Sequence, residues 1–281
     1  MPPQLRMSTL RVSTGCRALL VLLFTTLVMG GLAAPALAAP AVGPGHDISH
    51  PQCGGDMPTG STFGIVGLNQ GRPYSTNPCL REQYTWAAGR PGSAAIYVNT
   101  GNPAPRSNYY WPRSGSRDPA LCKDNRSTTD PGCAYNYGWH AAANAMTTGK
   151  QQLGRGVLGH AWWLDVETTN TWNGNGPANA AVLQGMIDYL RSHGVAKVGL
   201  YSTGYQWKTI TGGYTAGTAA DYRAAWNGYL TADFPLHEAP LWIATAAGSG
   251  TARAKCASSF TGGPTAMVQY IKDGFDTNVT C

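Results

Sequence analysis

Charge is scarce in this 281-residue chain: Lys and Arg number 20, Asp and Glu 14, and together they make up 12% of the residues. The net charge of +6 is spread thinly along the sequence, without the clustered basic stripe of a nucleic-acid binder, so no nucleic-acid partner is expected. C-x-x-C pairs and close Cys/His clusters are absent, which leaves no basis for a metal site. There is no glycine-rich phosphate loop, and no serine flanked by nucleophile-elbow glycines with His and Asp partners, so neither a bound cofactor nor a hydrolase triad is expected. Internal repeats are missing, which excludes a solenoid or propeller. Only the run from Ala18 to Met29 is long and apolar, and no other stretch approaches the ~20 residues a membrane helix needs.

That run is preceded by Arg6, Arg11 and Arg17 and followed by Ala36-Leu37-Ala38, the layout of an export signal with a small-residue cleavage site. Residues 1–38 are therefore expected to be removed, leaving residues 39–281 as one soluble, extracellular domain with no membrane contact. The signal carries three of the 20 basic residues and none of the 14 acids, so the remaining chain has a net charge of +3. There is no twin-Arg pair, and Cys16 precedes the apolar run, on the wrong side for a lipid anchor. Six cysteines remain once Cys16 is gone, an even number that implies disulfides in an exported protein. Six cysteines allow fifteen pairings. Closure between near neighbours favours Cys53 with Cys79, Cys122 with Cys133, and Cys256 with Cys281.

Short apolar segments alternate with helix-like ones from Gly45 onward, the pattern of a mainly parallel sheet. Strands are predicted at His46–Ser49, Phe63–Leu68, Ala94–Asn99, His160–Val166, Lys197–Tyr201, Leu241–Ala244 and Ala266–Tyr270. Helices are predicted at Pro78–Gly89, Gly138–Leu153, Pro177–His193 and Thr218–Trp226. Among them Leu183, Met186, Ile187 and Leu190 mark the clearest apolar face, at i, i+3, i+4 and i+7. The last third has no convincing helix between its strands, so an α/β barrel that becomes irregular at its end is the expected architecture. The segment from Gly101 to Tyr137, rich in Pro, Gly, Asn and Arg, is expected to form an ordered rim to a cleft, tied by Cys122 and Cys133.

Chemistry concentrates at Trp162-Trp163-Leu164-Asp165-Val166-Glu167. On a strand, Asp165 and Glu167 project from the same face with Cα atoms about 6.6 Å apart, and they sit where the strand gives way to the polar Thr168-Thr169-Asn170. In a parallel barrel that end is where reactive groups gather. An acidic pair in such a place also caps helices or binds a surface Lys or Arg. The scarcity of acids and the two adjacent tryptophans favour a pair of acid/base groups facing a sugar. Asp47 on the first strand and Asp276 after the last bring the strand-end carboxylates to four.

Together these segments resemble glycoside hydrolase family 25, the secreted lysozymes that cleave peptidoglycan glycan strands, and in particular an actinobacterial group of secreted family 25-like proteins. The resemblance is carried by Gly45-His46-Asp47-Ile48-Ser49-His50-Pro51-Gln52, Trp163-Leu164-Asp165-Val166-Glu167, Gly199-Leu200-Tyr201-Ser202, Leu241-Trp242-Ile243-Ala244, and Gln269-Tyr270 with Asp276-Thr277-Asn278. It implies a TIM-like (β/α)5(β)3 barrel. It also implies that Glu167 protonates the glycosidic oxygen, and that Asp165 assists at the anomeric side, either directly or by positioning the substrate's N-acetyl group. Asp47 and Asp276 would orient and tune this pair. The third strand departs from the family: Tyr97-Val98-Asn99-Thr100-Gly101-Asn102-Pro103 stands where an aromatic-His-aromatic signature is usual.

Tyr97, Trp163, Tyr201 and Trp242 fall on or beside strands running toward this face and are expected to line the cleft and bind substrate. His160 starts the fourth strand at its far end and is expected to be structural. The resulting expectation is a monomeric, metal-free muramidase-like glycosidase acting on β-1,4-linked cell-wall polysaccharide. Its alternatives are a same-fold hydrolase of another wall polysaccharide and a non-catalytic glycan-binding wall protein.

Overall fold

The computed structural model describes residues 43–103, 109–226 and 234–281; the expected export signal lies outside them. Eight strands close into one barrel in sequence order: β1 (Gly45–Ile48), β2 (Gly64–Gly67), β3 (Ala95–Asn99), β4 (Ala161–Asp165), β5 (Lys197–Ser202), β6 (Leu241–Ala244), β7 (Thr265–Lys272) and β8 (Phe275–Thr280). Neighbours from β1 to β7 are parallel, and β8 runs antiparallel between β7 and β1. The helices are α1 (Leu80–Ala88), α2 (Pro131–Leu153), α3 (Gly176–Ser192), α4 (Gly204–Thr211), α5 (Ala219–Ala225) and α6 (Ser249–Ala254). The fold is thus the α/β barrel expected, with an α-helix after each of β2 to β6, only a short 3-10 turn between β1 and β2, and a hairpin joining β7 to β8.

Several elements differ from the sequence reading. The eighth strand that the (β/α)5(β)3 resemblance implies was not among the seven segments read from the sequence, and Asp276 lies within it rather than after the last strand. It forms because Asp273 and Gly274 adopt positive φ angles of 52° and 82°, the turn that folds β7 back on β8 in a two-residue hairpin. Helix α2 starts at Pro131, seven residues before the predicted Gly138, because the Asp130 side chain accepts from Cys133 N at 2.8 Å and caps it. Helix α4 was unanticipated too; Thr203 caps its start through Gln206 N at 3.1 Å, and Gly212 closes it at φ 75°. The connection from β6 to β7 holds the six-residue α6.

Strand alternation builds two apolar cores. Outward residues such as Val66, Ile96, Trp162, Leu164, Leu200 and Ile243 pack beneath the helices. Inward residues Phe63, Ile65, Trp163, Trp242 and Met267 fill the barrel. Both faces of the parallel strands are therefore buried, which is why they read as apolar runs. Space inside is made by glycine: a β-carbon on Gly199 would stand 2.3 Å from the Trp163 ring, and one on Gly67 2.7 Å from the Tyr97 ring. Outside, α2 and α3 approach so closely that a β-carbon on Gly138 would lie 2.0 Å from Val182 O, and one on Gly185 2.2 Å from Tyr135 O.

The disulfides join Cys53–Cys79, Cys122–Cys133 and Cys256–Cys281, the local pairs. They tie the loop after β1 to the start of α1, the rim segment to the first turn of α2, and the turn after α6 to the last residue. Among the described residues no helix is long and apolar enough to cross a membrane.

Candidate active site

Strand register sets the level of each side chain. Asn99 pairs with Asp165, Asp165 with Tyr201, and Tyr201 with Trp242, so the C-terminal ends of β3 to β6 present these four residues in one ring. Beyond the ladder, Val166 N still donates to Tyr201 O at 2.9 Å. The alternation therefore continues one step past β4, and Glu167 emerges on the same side as Asp165.

The ring opens into a cavity of about 270 Å³ lined by Asp47, Tyr97, Asp165, Glu167, Tyr201, Trp242, Gln269 and Asp276. All four carboxylates singled out in the sequence meet there, with Tyr97, Tyr201 and Trp242. Trp163 does not reach the cavity: it lies one level deeper in the barrel, edge-on to Trp242 with ring centroids 5.8 Å apart. As a residue of the inner core it supports the floor beneath Trp242. His160 accepts or donates one hydrogen bond with the Tyr84 hydroxyl at 2.7 Å, away from the cavity.

Asp47 is fully bonded. Gln269 Nε2 donates to its two oxygens at 3.0 and 3.1 Å, and Asn278 Nδ2 donates to Oδ1 at 2.7 Å. Both amides are fixed in turn: Tyr201 OH donates to Gln269 Oε1 at 2.8 Å, and Trp242 Nε1 donates to Asn278 Oδ1 at 2.8 Å. One network thus runs from Tyr201 through Asp47 to Trp242, and it orients both aromatic walls. Burial, then the nearby Asp276 charge, pushes the Asp47 carboxyl up to about 8, against the pull of the two amides.

Asp165 is buried at the end of β4. Asn99 Nδ2 donates to its Oδ2, and Asn99 is held by reciprocal bonds with Asn69 at 2.9 and 3.0 Å. Among the described residues no N–H or O–H group donates to Asp165 Oδ1. Its hydrogen-bonding neighbour is the Glu167 carboxyl. Two carboxyl groups in such contact need one proton between them, since two carboxylates cannot donate to each other. Both groups are shifted upward: Asp165 by burial, then by the Glu167 and Asp47 charges, and Glu167 by burial, with Asp276 adding to it. The Gln206 side chain opposes the Glu167 shift by hydrogen-bonding its charged form. Gln206 is itself anchored, accepting from Thr168 N at 2.6 Å and Thr168 Oγ1 at 3.0 Å. Asp276 is raised by burial.

Sequence reasoning gave no role to Gln269, Asn278, Asn99 or Gln206. Gln269 and Asn99 carried a signal, since each is a polar side chain inside or ending an apolar strand, and such residues are buried only when bonded; Asn278 lies on the weakly alternating β8 and carried none. Gln206 carried none: its contact crosses 38 residues from a helix that the sequence did not reveal. Among the described residues no group of three or more His, Cys, Asp or Glu is arranged to hold a metal ion.

The chain's relationships agree with this architecture. A family model described as lysozyme-like protein 1 matches residues 140–260, the stretch from α2 through β4, β5 and β6. Over 72 residues the chain is 40% identical to a probable GH family 25 lysozyme 4 of Dictyostelium discoideum; the match covers 25% of this chain and a third (33%) of that relative's length. In fold it is similar to a muramidase from Trichobolus zukalii, with a TM-score of 0.51 at 17% identity over 85% of this chain and 93% of that one. It is similar also to a bacterial lysozyme from Streptomyces coelicolor, with a TM-score of 0.50 at 15% identity over 84% and 91%. The two sequence matches and the shared barrel support one relationship, to the lysozyme-like proteins of glycoside hydrolase family 25.

Proposed function

We propose that the protein is an exported glycosidase of the muramidase type, hydrolysing β-1,4 bonds in the N-acetylated glycan of peptidoglycan, and that Glu167 is its proton donor. The observation that carries this reading is the Asp165–Glu167 pair: two carboxyls in hydrogen-bond contact, both shifted up, at the mouth of a cavity walled by aromatic rings. An acid catalyst must hold its proton to higher pH than a free carboxyl does, and burial with the Asp276 charge nearby shifts Glu167 in that direction. Glu167 is the less buried partner and faces the cavity, so it is the group placed to deliver a proton to a glycosidic oxygen.

The contact also bears on mechanism. A nucleophile and an acid on opposite sides of a glycosidic bond stand ~5–5.5 Å apart, and a base activating water stands farther still. Asp165 touches Glu167 and so belongs to the same side of the bond. A substrate-assisted course fits better: Glu167 gives its proton to the leaving oxygen, the substrate's acetamido oxygen closes on the anomeric carbon, and water then reopens that ring. Asp165 positions the acetamido N–H, Asp276 lies opposite the developing cation, and Asp47 acts by orienting the aromatic walls through Gln269 and Asn278. Tyr97, Tyr201 and Trp242 form the walls against which the sugar packs. Three disulfides support export to an oxidising compartment, where the chain acts as a monomer.

Asn99 lies in the segment where the family resemblance leads one to expect an aromatic-His-aromatic signature, and it is spent on Asp165. This favours one second reading, the same chemistry on a different wall polysaccharide. The experiment is product analysis by mass spectrometry from purified peptidoglycan treated with the parent and with Glu167→Gln. Fragments ending in reducing N-acetylmuramic acid from the parent, and a loss of at least about a thousandfold in the variant, are expected. A Glu167→Gln protein that cleaves as fast as the parent would refute the assignment, and a parent inert on peptidoglycan would move the substrate to another glycan.

A further inference from the structure

Among the described residues, four large apolar side chains are exposed: Tyr109, Tyr110, Tyr205 and Ile271. Tyr109, Tyr110 and Tyr205 lie on segments that follow the C-terminal ends of β3 and β5, the end of the barrel that carries the acidic cavity, and Ile271 lies near the end of β7. Two of them are consecutive. Tyr109 is 94% exposed and Tyr110 45%, whereas the next residue, Trp111, is buried, its Nε1 donating to Asn125 O at 3.0 Å. The pair therefore stands on an anchored base, in the rim segment tied to α2 by Cys122–Cys133.

The Tyr110 ring lies flat on Tyr74, with centroids 3.8 Å apart and planes 1° from parallel, and Tyr109 meets Tyr110 edge-on at 5.3 Å and 85°. Tyr74 is held for this contact in an unfavourable backbone conformation, φ 58°, which a bulky residue rarely adopts. Its hydroxyl donates to Tyr137 O at 3.4 Å. The stack connects with the catalytic loop through neighbouring segments. Trp172 Nε1 donates to Glu167 O at 2.8 Å, and Asn102 N donates to Thr171 O at 2.8 Å. A β-carbon on Gly101 would lie 2.9 Å from Thr171 O and 3.8 Å from Pro73. The loop that presents Glu167 thus abuts the segment that presents Tyr74.

We propose that Tyr109, carried on the Tyr110–Tyr74 stack, is a sugar-stacking platform that extends the acidic cavity along the β2–β3 side, so that the protein grips a polymeric glycan beyond the sugars at the reacting bond. The proposal rests on reading the cavity as a glycan site. A rigid ring with a polar tip suits a pyranose, whose C–H face packs on the π surface while its hydroxyls stay hydrated. A polysaccharide running on from the cavity is the occupant that continuity favours, over a second copy of the chain.

The test measures sedimentation of the Glu167→Gln protein with insoluble peptidoglycan, with and without Tyr109→Ala or Tyr109→Phe, together with binding of soluble tri-N-acetylchitotriose. Loss of one stacked ring is expected to raise the Kd for the polymer by about tenfold. Tyr109→Phe should bind like its background, and the trisaccharide should bind all three alike. Because Tyr109 is almost wholly exposed, the variants should melt with their background. Undiminished sedimentation of Tyr109→Ala would overturn the platform, as would failure of the background protein to bind peptidoglycan at all. If Tyr109→Ala weakens binding while the parent with Glu167 releases no products, the platform stands and the catalytic reading fails. If the parent dimerises in analytical ultracentrifugation and Tyr109→Ala abolishes the dimer, the occupant is a second copy and the proposal is wrong.

Discussion

At the scale of single residues, the acid pair depends on side chains that never meet substrate. Gln206 is the clearest case, because its bond to Glu167, like that of Asp165, favours the charged form while burial and the nearby Asp276 charge favour the neutral one. Replacing it with leucine removes that restraint and leaves Thr168 N and Oγ1 without their acceptor. In Gln206→Leu the alkaline limb of the kcat profile should move to higher pH, and kcat should fall by about tenfold, as expected for one lost bond to a charged group. A profile that moves to lower pH would show that Gln206 does not act through Glu167. The sequence displayed the four carboxylates, and periodicity alone placed Asp47, Asp165 and Glu167, whereas Asp276 lies on the strand it did not reveal. Their second rank of partners was legible only where a polar residue interrupts or ends an apolar strand, as Gln269 and Asn99 do. Gln206 sits on a surface helix whose contact with Glu167 is a consequence of tertiary packing, and no local pattern encodes it.

At the scale of elements, seven of the eight strands were legible because burial on both faces turns them into short apolar runs. Helix α3 was legible through its apolar stripe. Strand β8 was not, because Phe275-Asp276-Thr277-Asn278-Val279-Thr280 alternates weakly and turns polar residues toward the cavity; its signal was the Asp273-Gly274 turn instead. Helix α4 is too short for periodicity to register, although Thr203 and Gly212 bracket it. Trp163 shows the limit of placing side chains by strand membership: it is inward as expected, yet one level too deep to reach the cavity. The helix layer offers its own test. Helices α2 and α3 meet glycine to backbone at Gly138 and Gly185, and a methyl group at either would enter a carbonyl oxygen. Gly185→Ala should therefore cost about 1–3 kcal/mol despite its gain in helix propensity, read as a drop in Tm at unchanged pH. An equal or higher Tm would mean that the two helices separate freely, and that their close approach contributes nothing.

At the scale of the whole molecule, the cavity is a place where stability is lost as acids ionise. Asp47, Asp165, Glu167 and Asp276 are all shifted upward in the folded protein. The folded state therefore holds protons that the unfolded chain has released. Since stability rises with pH only where the unfolded state binds more protons, the slope here has the opposite sign. The contribution of Asp47 is greatest below its ordinary value of 3.8 and is lost as pH rises toward about 8. Asp165, Glu167 and Asp276 act in the same direction. Tm should accordingly be higher near pH 5 than near pH 8. Asp47→Asn removes the charge while its amide oxygen can still accept from Asn278 and Gln269, so this variant should flatten the Tm profile and melt above the parent at pH 8. Its activity should fall, because the amide NH2 that replaces Oδ2 no longer accepts from Gln269 Nε2 and loosens the Tyr201–Gln269–Asp47–Asn278–Trp242 network that orients the aromatic walls. A variant that melts lower than the parent at pH 8 would show that the ionised carboxylate is well solvated or well paired in place. The strain that an acid cleft imposes on its fold would then have to reside in the Asp165–Glu167 pair alone.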